Sequence, residues 1–112
     1  MIKSFKYALN GIKDAFKSEP NLRFHFLAAL IVLFFAYLLK FSNIEFIILI
    51  LTIAFVITLE IINTIVEKLV NMHSMEISEP ARAIKDMSAA VVLISAIASI
   101  FVGFFLFFNK LW

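Results

Sequence analysis

The strongest constraint in this chain is a run of twenty-two residues, Met87 to Phe108, that carries no formal charge. As a helix it measures about 33 Å, enough to cross a hydrocarbon core of about 30 Å. Two further runs behave alike. Phe24 to Leu39 is uncharged apart from His25, and Phe46 to Leu59 is uncharged before its helical pattern continues through Glu60, Asn63 and Glu67. Hydrophobic residues make up 63% of the 112 residues and charged residues 16%. A soluble chain of this length has too much surface for its volume to hide so much apolar side chain, including fourteen Phe. This excludes a soluble monomer and a disordered chain. The lack of Cys excludes a disulfide scaffold and a thiol nucleophile. With two Gly and two Pro there are few turns for an all-β chain. The fold class expected is an all-α membrane protein, a single domain over 1–112 with transmembrane helices at 22–40, 44–71 and 80–108.

Ahead of these spans, residues 1–18 repeat apolar side chains every three or four positions: Ile2, Phe5, Leu9, Ile12 and Phe16 form one stripe. Lys3, Lys6, Lys13, Asp14 and Lys17 lie mostly off it. That pattern predicts an amphipathic helix on the membrane surface, with Lys reaching the head groups. No secretory signal peptide is expected, because the first apolar run has no small-residue cleavage site. The turn FSN ends the first span, with Asn43 as the expected cap of the next helix. NMHSMEISEP ends the second span, and Pro80 suits the first turn of the third after Ser78.

Charge sets the expected orientation. Lys3, Lys6, Lys13, Lys17 and Arg23 flank the first span, and Lys68, Arg82 and Lys85 flank the second loop, against only Lys40 and Lys110 on the other side. The N-terminus and second loop are therefore placed in the cytoplasm. A net charge of +2 is too weak and too scattered for nucleic acid.

Glu60 and Glu67 are seven residues apart, nearly two turns, so they share one helix face with Asn63 about 60° away or less. A charge near a helix centre costs roughly 2.5–3.5 kcal/mol on the insertion scale, so carboxylates in a span point to function. Counted from Ile44, Glu60 lies about 24 Å along the helix and Glu67 about 35 Å, at the cytoplasmic boundary. Three readings stay open: structural ion pairs with Lys or Arg, a proton relay, or a Mg²⁺–polyphosphate site. Glu19, Glu76, Lys85 and Asp86 lie on the same side and favour the third. Mg²⁺ takes carboxylate and phosphate oxygens, and phosphoryl transfer needs mainly positioning and charge neutralisation. No phosphate-binding Gly-rich loop exists, since the only glycines are Gly11 and Gly103. Taken alone, Lys85–Asp86 is an ordinary interfacial pair. His25 and His73 are expected at the interface, neither with a partner at metal-ligand spacing. Ser95, Ser99 and Gly103, with Ala89 and Ala96, form a small-residue seam that predicts self-association.

The stretch E-I-I-N-T-I-V-E at 60–67, with K-D-M-S-A-A-V-V-L beginning at Lys85, resembles the prokaryotic diacylglycerol kinase and undecaprenol kinase family. Tyr7, Gly11, Glu19 and the N-L-R-F-H run at 21–25 extend the resemblance over almost the whole chain. It implies a homotrimer, each chain with a surface helix and three transmembrane helices. It also implies ATP and Mg²⁺, and phosphorylation of a lipid alcohol at the cytoplasmic face of a bacterial inner membrane. By the resemblance, Glu60 is the catalytic base and Glu19 and Glu67 are metal carboxylates. Tyr7, Glu19, Glu67, Glu76, Lys85 and Asp86 contact ATP, and Asn63 is a further active-site residue. The family commonly has Asp where Asn71 stands, often reads Glu-Tyr-His where this chain has Glu76-Ile77-Ser78, and usually has smaller residues at Ile84 and Val91. The short chain and E-P-N-L-R-F-H resemble the undecaprenol kinase branch more than the diacylglycerol kinase branch. A small proton-coupled transporter built on Glu60 is the competing class, and it leaves Glu19, Lys85 and Asp86 unused.

Overall fold

A computed structural model describes residues 1–73 and 78–112. Four helices follow in order: α1 (Ile2–Ser18), α2 (Pro20–Leu38), α3 (Asn43–His73) and α4 (Glu79–Leu111). The last three are each long and apolar enough to cross a membrane. At 31 and 33 residues, α3 and α4 exceed the roughly 20 that a bilayer core requires, which leaves length for polar ends.

Each break has a local cause. Glu19 is extended (φ −121°, ψ 106°), as the residue before proline tends to be, and Pro20 opens α2. At the end of α2, Lys40 takes the left-handed conformation, φ 59°. Lys40 N–H donates to the Tyr37 carbonyl and Phe41 N–H to the Ala36 carbonyl, both at 3.1 Å. This is a Schellman closure with Lys in the position that glycine favours. Phe41, just beyond, is buried with Ala36, Leu49 and Leu106. Its ring lies 4.8 Å from that of Phe107.

The cap of α3 differs from expectation. Ser42, not Asn43, is the N-cap: Glu45 N–H donates to Ser42 Oγ at 3.2 Å and Ser42 N–H donates to Glu45 Oε1 at 2.8 Å. The reciprocal pair needs a carboxylate three residues after the cap, and Glu45 supplies it to Ser42 alone. Glu45 also holds Lys110 Nζ at 2.8 Å, tying the start of α3 to the end of α4. At α4 the Ser78 hydroxyl accepts from Ala81 N–H, and Pro80 sits in the first turn.

α3 is the central helix, packed chiefly against α4 and then α2, while α1 leans on α2. Phe16 meets Phe26 edge to face at 5.6 Å, and Ala15 and Leu22 are buried at this corner. The rest of the α1 stripe stays exposed. The small-residue seam of α4 divides. Ser95 is 2% exposed, buried within its own chain, and its hydroxyl donates to the Val92 carbonyl. At Gly103 an added Cβ would meet nothing within 4 Å.

Candidate active site

The polar residues of α3 behave as its period requires. Glu60, Asn63 and Thr64 are buried in a helix whose other faces are apolar, and Glu67, one turn on, is half-buried. Asn63 Nδ2 donates to Glu67 Oε1 at 3.1 Å. Thr64 Oγ1 donates to the Glu60 carbonyl at 3.1 Å, so the hydroxyl is satisfied within the helix. Asn63 Oδ1 is buried and accepts no hydrogen bond among the described residues.

The partner of Glu60 is neither Lys nor Arg. His25 of α2 presents Nε2 at 3.6 Å from Glu60 Oε2. The two residues are far apart in sequence, and only the packing of α2 on α3 joins them. Glu19, at the α1–α2 corner, and Glu67 are close enough to act on the Glu60 carboxylate electrostatically. His25 and Glu60 thus meet where α2 and α3 converge, with Glu67 further along the same face of α3 and Glu19 at the start of α2.

The other candidates lie apart from this cluster. Asp86 is exposed, and Arg82 holds it: Nη1 reaches Asp86 Oδ2 at 2.6 Å and Nη2 reaches Glu79 Oε2 at 2.7 Å. Lys85 is half-buried and, among the described residues, makes no ion pair with Asp86. The adjacent pair expected from the sequence is therefore an Arg82–Asp86 pair four residues apart, because neighbours on a helix point about 100° apart while positions i and i+4 meet. Tyr7 is 70% exposed on α1. Glu76 lies outside the described residues.

Between α1 and α3 runs a groove of about 280 Å³, lined by Gly11, Asp14, Ala15, Thr64 and Lys68 among others. It passes one turn from Glu60.

The donor set suits a hard cation. Among the described residues no three His, Cys, Asp or Glu close into a cage. Mg²⁺ does not need one: it binds through one or two carboxylates, keeps waters and takes the remaining oxygens from substrate phosphates. Glu67 steadied by Asn63, with the unpaired Asn63 Oδ1 beside it, offers oxygens of that kind.

Residues 6–107 match the model of the family described as prokaryotic diacylglycerol kinase. The chain belongs to this family. It is therefore a lipid kinase and an integral membrane protein, and the transporter reading of Glu60 falls. The undecaprenol kinase of Bacillus subtilis (strain 168) is similar at 36% identity over 97% of this chain and 89% of that protein. The diacylglycerol kinase of Haemophilus influenzae (strain ATCC 51907 / DSM 11121 / KW20 / Rd) is similar at 36% over 96% and 92%. That of Synechocystis sp. (strain ATCC 27184 / PCC 6803 / Kazusa) is similar at 36% over 92% of this chain and 59% of that protein.

His25, Arg82 and Thr64 are the neighbours that residue spacing left unassigned. A lone imidazole inside an otherwise uncharged span was the available signal for His25, since ionisable groups in spans seek partners.

Proposed function

We propose that this protein phosphorylates undecaprenol to undecaprenyl phosphate, with ATP as donor, at the cytoplasmic face of a bacterial inner membrane. The observation that carries the reading is the buried Glu60 beside the Asn63–Glu67 pair on one face of α3. Glu60 is the catalytic base. Enclosed between helices at the inner end of a span, its carboxylate sits where the hydroxyl of a membrane lipid can reach. The proton of that hydroxyl goes to Glu60 as the oxygen attacks the terminal phosphate. Asn63 fixes the carboxylate of Glu67, which with Glu19 would hold Mg²⁺, whose charge would offset that of the phosphates. By the family resemblance Lys85, Asp86, Tyr7 and Glu76 would contact ATP. The groove beside α1 offers room for the lipid head.

In the same reading α1 lies on the membrane, because its exposed Ile2, Phe5, Leu9 and Ile12 need lipid and its Lys residues need water. The N-terminus is cytoplasmic, by the distribution of Lys and Arg. The chains form homotrimers, supported by the open side of Gly103.

Undecaprenol is favoured by the short chain and the E-P-N-L-R-F-H stretch at 19–25, which resemble the undecaprenol kinase branch, together with the match to the Bacillus enzyme. Diacylglycerol is the second reading, favoured by two relatives of that name at the same identity. Turnover of ATP by the purified protein with undecaprenol or diacylglycerol, in matched detergent, separates them. The first reading expects a higher kcat/KM for undecaprenol, and a preference for diacylglycerol overturns it.

A further inference from the structure

A base enclosed in a membrane helix has a second task, which is to lose its proton after every turnover. The Glu60 side chain is only 4% exposed. Its backbone carbonyl is occupied by Thr64, and its charged surroundings are Glu19 from the α1–α2 corner, Glu67 from its own helix and His25 from α2. Glu19 and Glu67 belong to the proposed metal and nucleotide side. His25 is different: Nε2 lies 3.6 Å from Glu60 Oε2, while the imidazole is 24% exposed and stands in the second turn of α2, near the end that the Lys and Arg distribution assigns to the cytoplasmic side. It is the one of these groups that can accept a proton at one atom and donate one from another.

We propose that His25 relays the proton from Glu60 to water, resting on the reading of Glu60 as the base. The balance is simple. The O–H bond of the lipid alcohol breaks as its O–P bond forms, and the proton passes to Glu60. With Nδ1 protonated, the Nε2 lone pair takes that proton from the carboxylic acid. Nδ1 gives its own proton to water, and exchange with water restores the starting tautomer. Glu60 is again a carboxylate, and one proton has left per lipid phosphorylated. The separation of 3.6 Å is longer than a hydrogen bond, so the pair closes by a few tenths of an ångström during transfer.

The test uses the purified protein in lipid–detergent micelles, with turnover measured per folded oligomer. For His25→Ala we expect kcat to fall on the order of 10²-fold with KM for ATP unchanged, the scale of a lost acid–base group. Added imidazole should restore turnover, and across methyl-substituted imidazoles the restored rate should follow their basicity. His25→Gln keeps volume and an N–H donor but carries no proton, so it should be as slow as His25→Ala even if the alanine variant folds poorly. A near-normal kcat for His25→Gln overturns the relay and leaves only a positioning contact. So does an alanine variant that imidazole fails to restore. Glu60→Gln distinguishes the two levels. If it is inactive while His25→Ala is fully active, the relay alone falls; if it is itself fully active, the base falls and the relay with it.

Discussion

Asn63 holds the carboxylate of Glu67 one turn further along α3, at 3.1 Å, while its own Oδ1 is buried and has no donor among the described residues. An amide so placed fixes a carboxylate oxygen and offers its own carbonyl oxygen beside it. Asn63→Ala removes both. A hydrogen bond to a charged group contributes about 1.5–3 kcal/mol, so kcat/KM for ATP should drop ten- to about a hundredfold while the helices remain formed. ATP titrations beside far-UV circular dichroism check it.

Glu67→Gln keeps the volume and the polar, half-buried setting but removes the charge. We expect lost turnover at ordinary Mg²⁺ with the oligomer unchanged. A Mg²⁺ titration that matches the wild type at limiting metal contradicts the metal role.

The seam of α4 yields a paired prediction. Ser95 faces its own chain, so Ser95→Leu overpacks that contact and should cost about 1–3 kcal/mol. Gly103 has open space, so Gly103→Leu should leave the single chain folded and weaken association of copies. Thermal melts and cross-linking in detergent distinguish the two effects.

At the opposite end, Lys110→Met breaks the tie to Glu45. The melting temperature should fall, and the difference from wild type should shrink somewhat as salt rises, because salt partly screens a pair that solvent still reaches. Turnover per folded protein should not change, since the tie lies at the far end of α3 from Glu60.

How much of this was legible in the residues follows from range. Charge-free runs reveal spans because lipid tolerates little else, and the seven-residue spacing of Glu60 and Glu67 places them on one face whatever surrounds the helix. Ser42 and Glu45 also form a short-range pattern, S-x-x-E, but Asn43 offered a competing cap, and only the reciprocal hydrogen bonds decide between them. Arg82–Asp86 follows from the i, i+4 rule, yet the adjacent Lys85 drew the reading toward a pair that helix geometry disfavours. For His25 the residues signal only that an imidazole in an uncharged span seeks a partner, not that the partner is Glu60. Their meeting depends on how α2 crosses α3, and no local period encodes that crossing.

The central claim is that Glu60 is the base. Its most direct test is turnover of Glu60→Gln per folded protein, with ATP binding and thermal stability measured on the same sample. The account predicts a kcat lower by about 10²–10⁴-fold, ATP binding retained, and a melting temperature at or above that of the wild type, since a buried charge has been removed. A Glu60→Gln protein that melts lower yet turns over normally per folded molecule would contradict it.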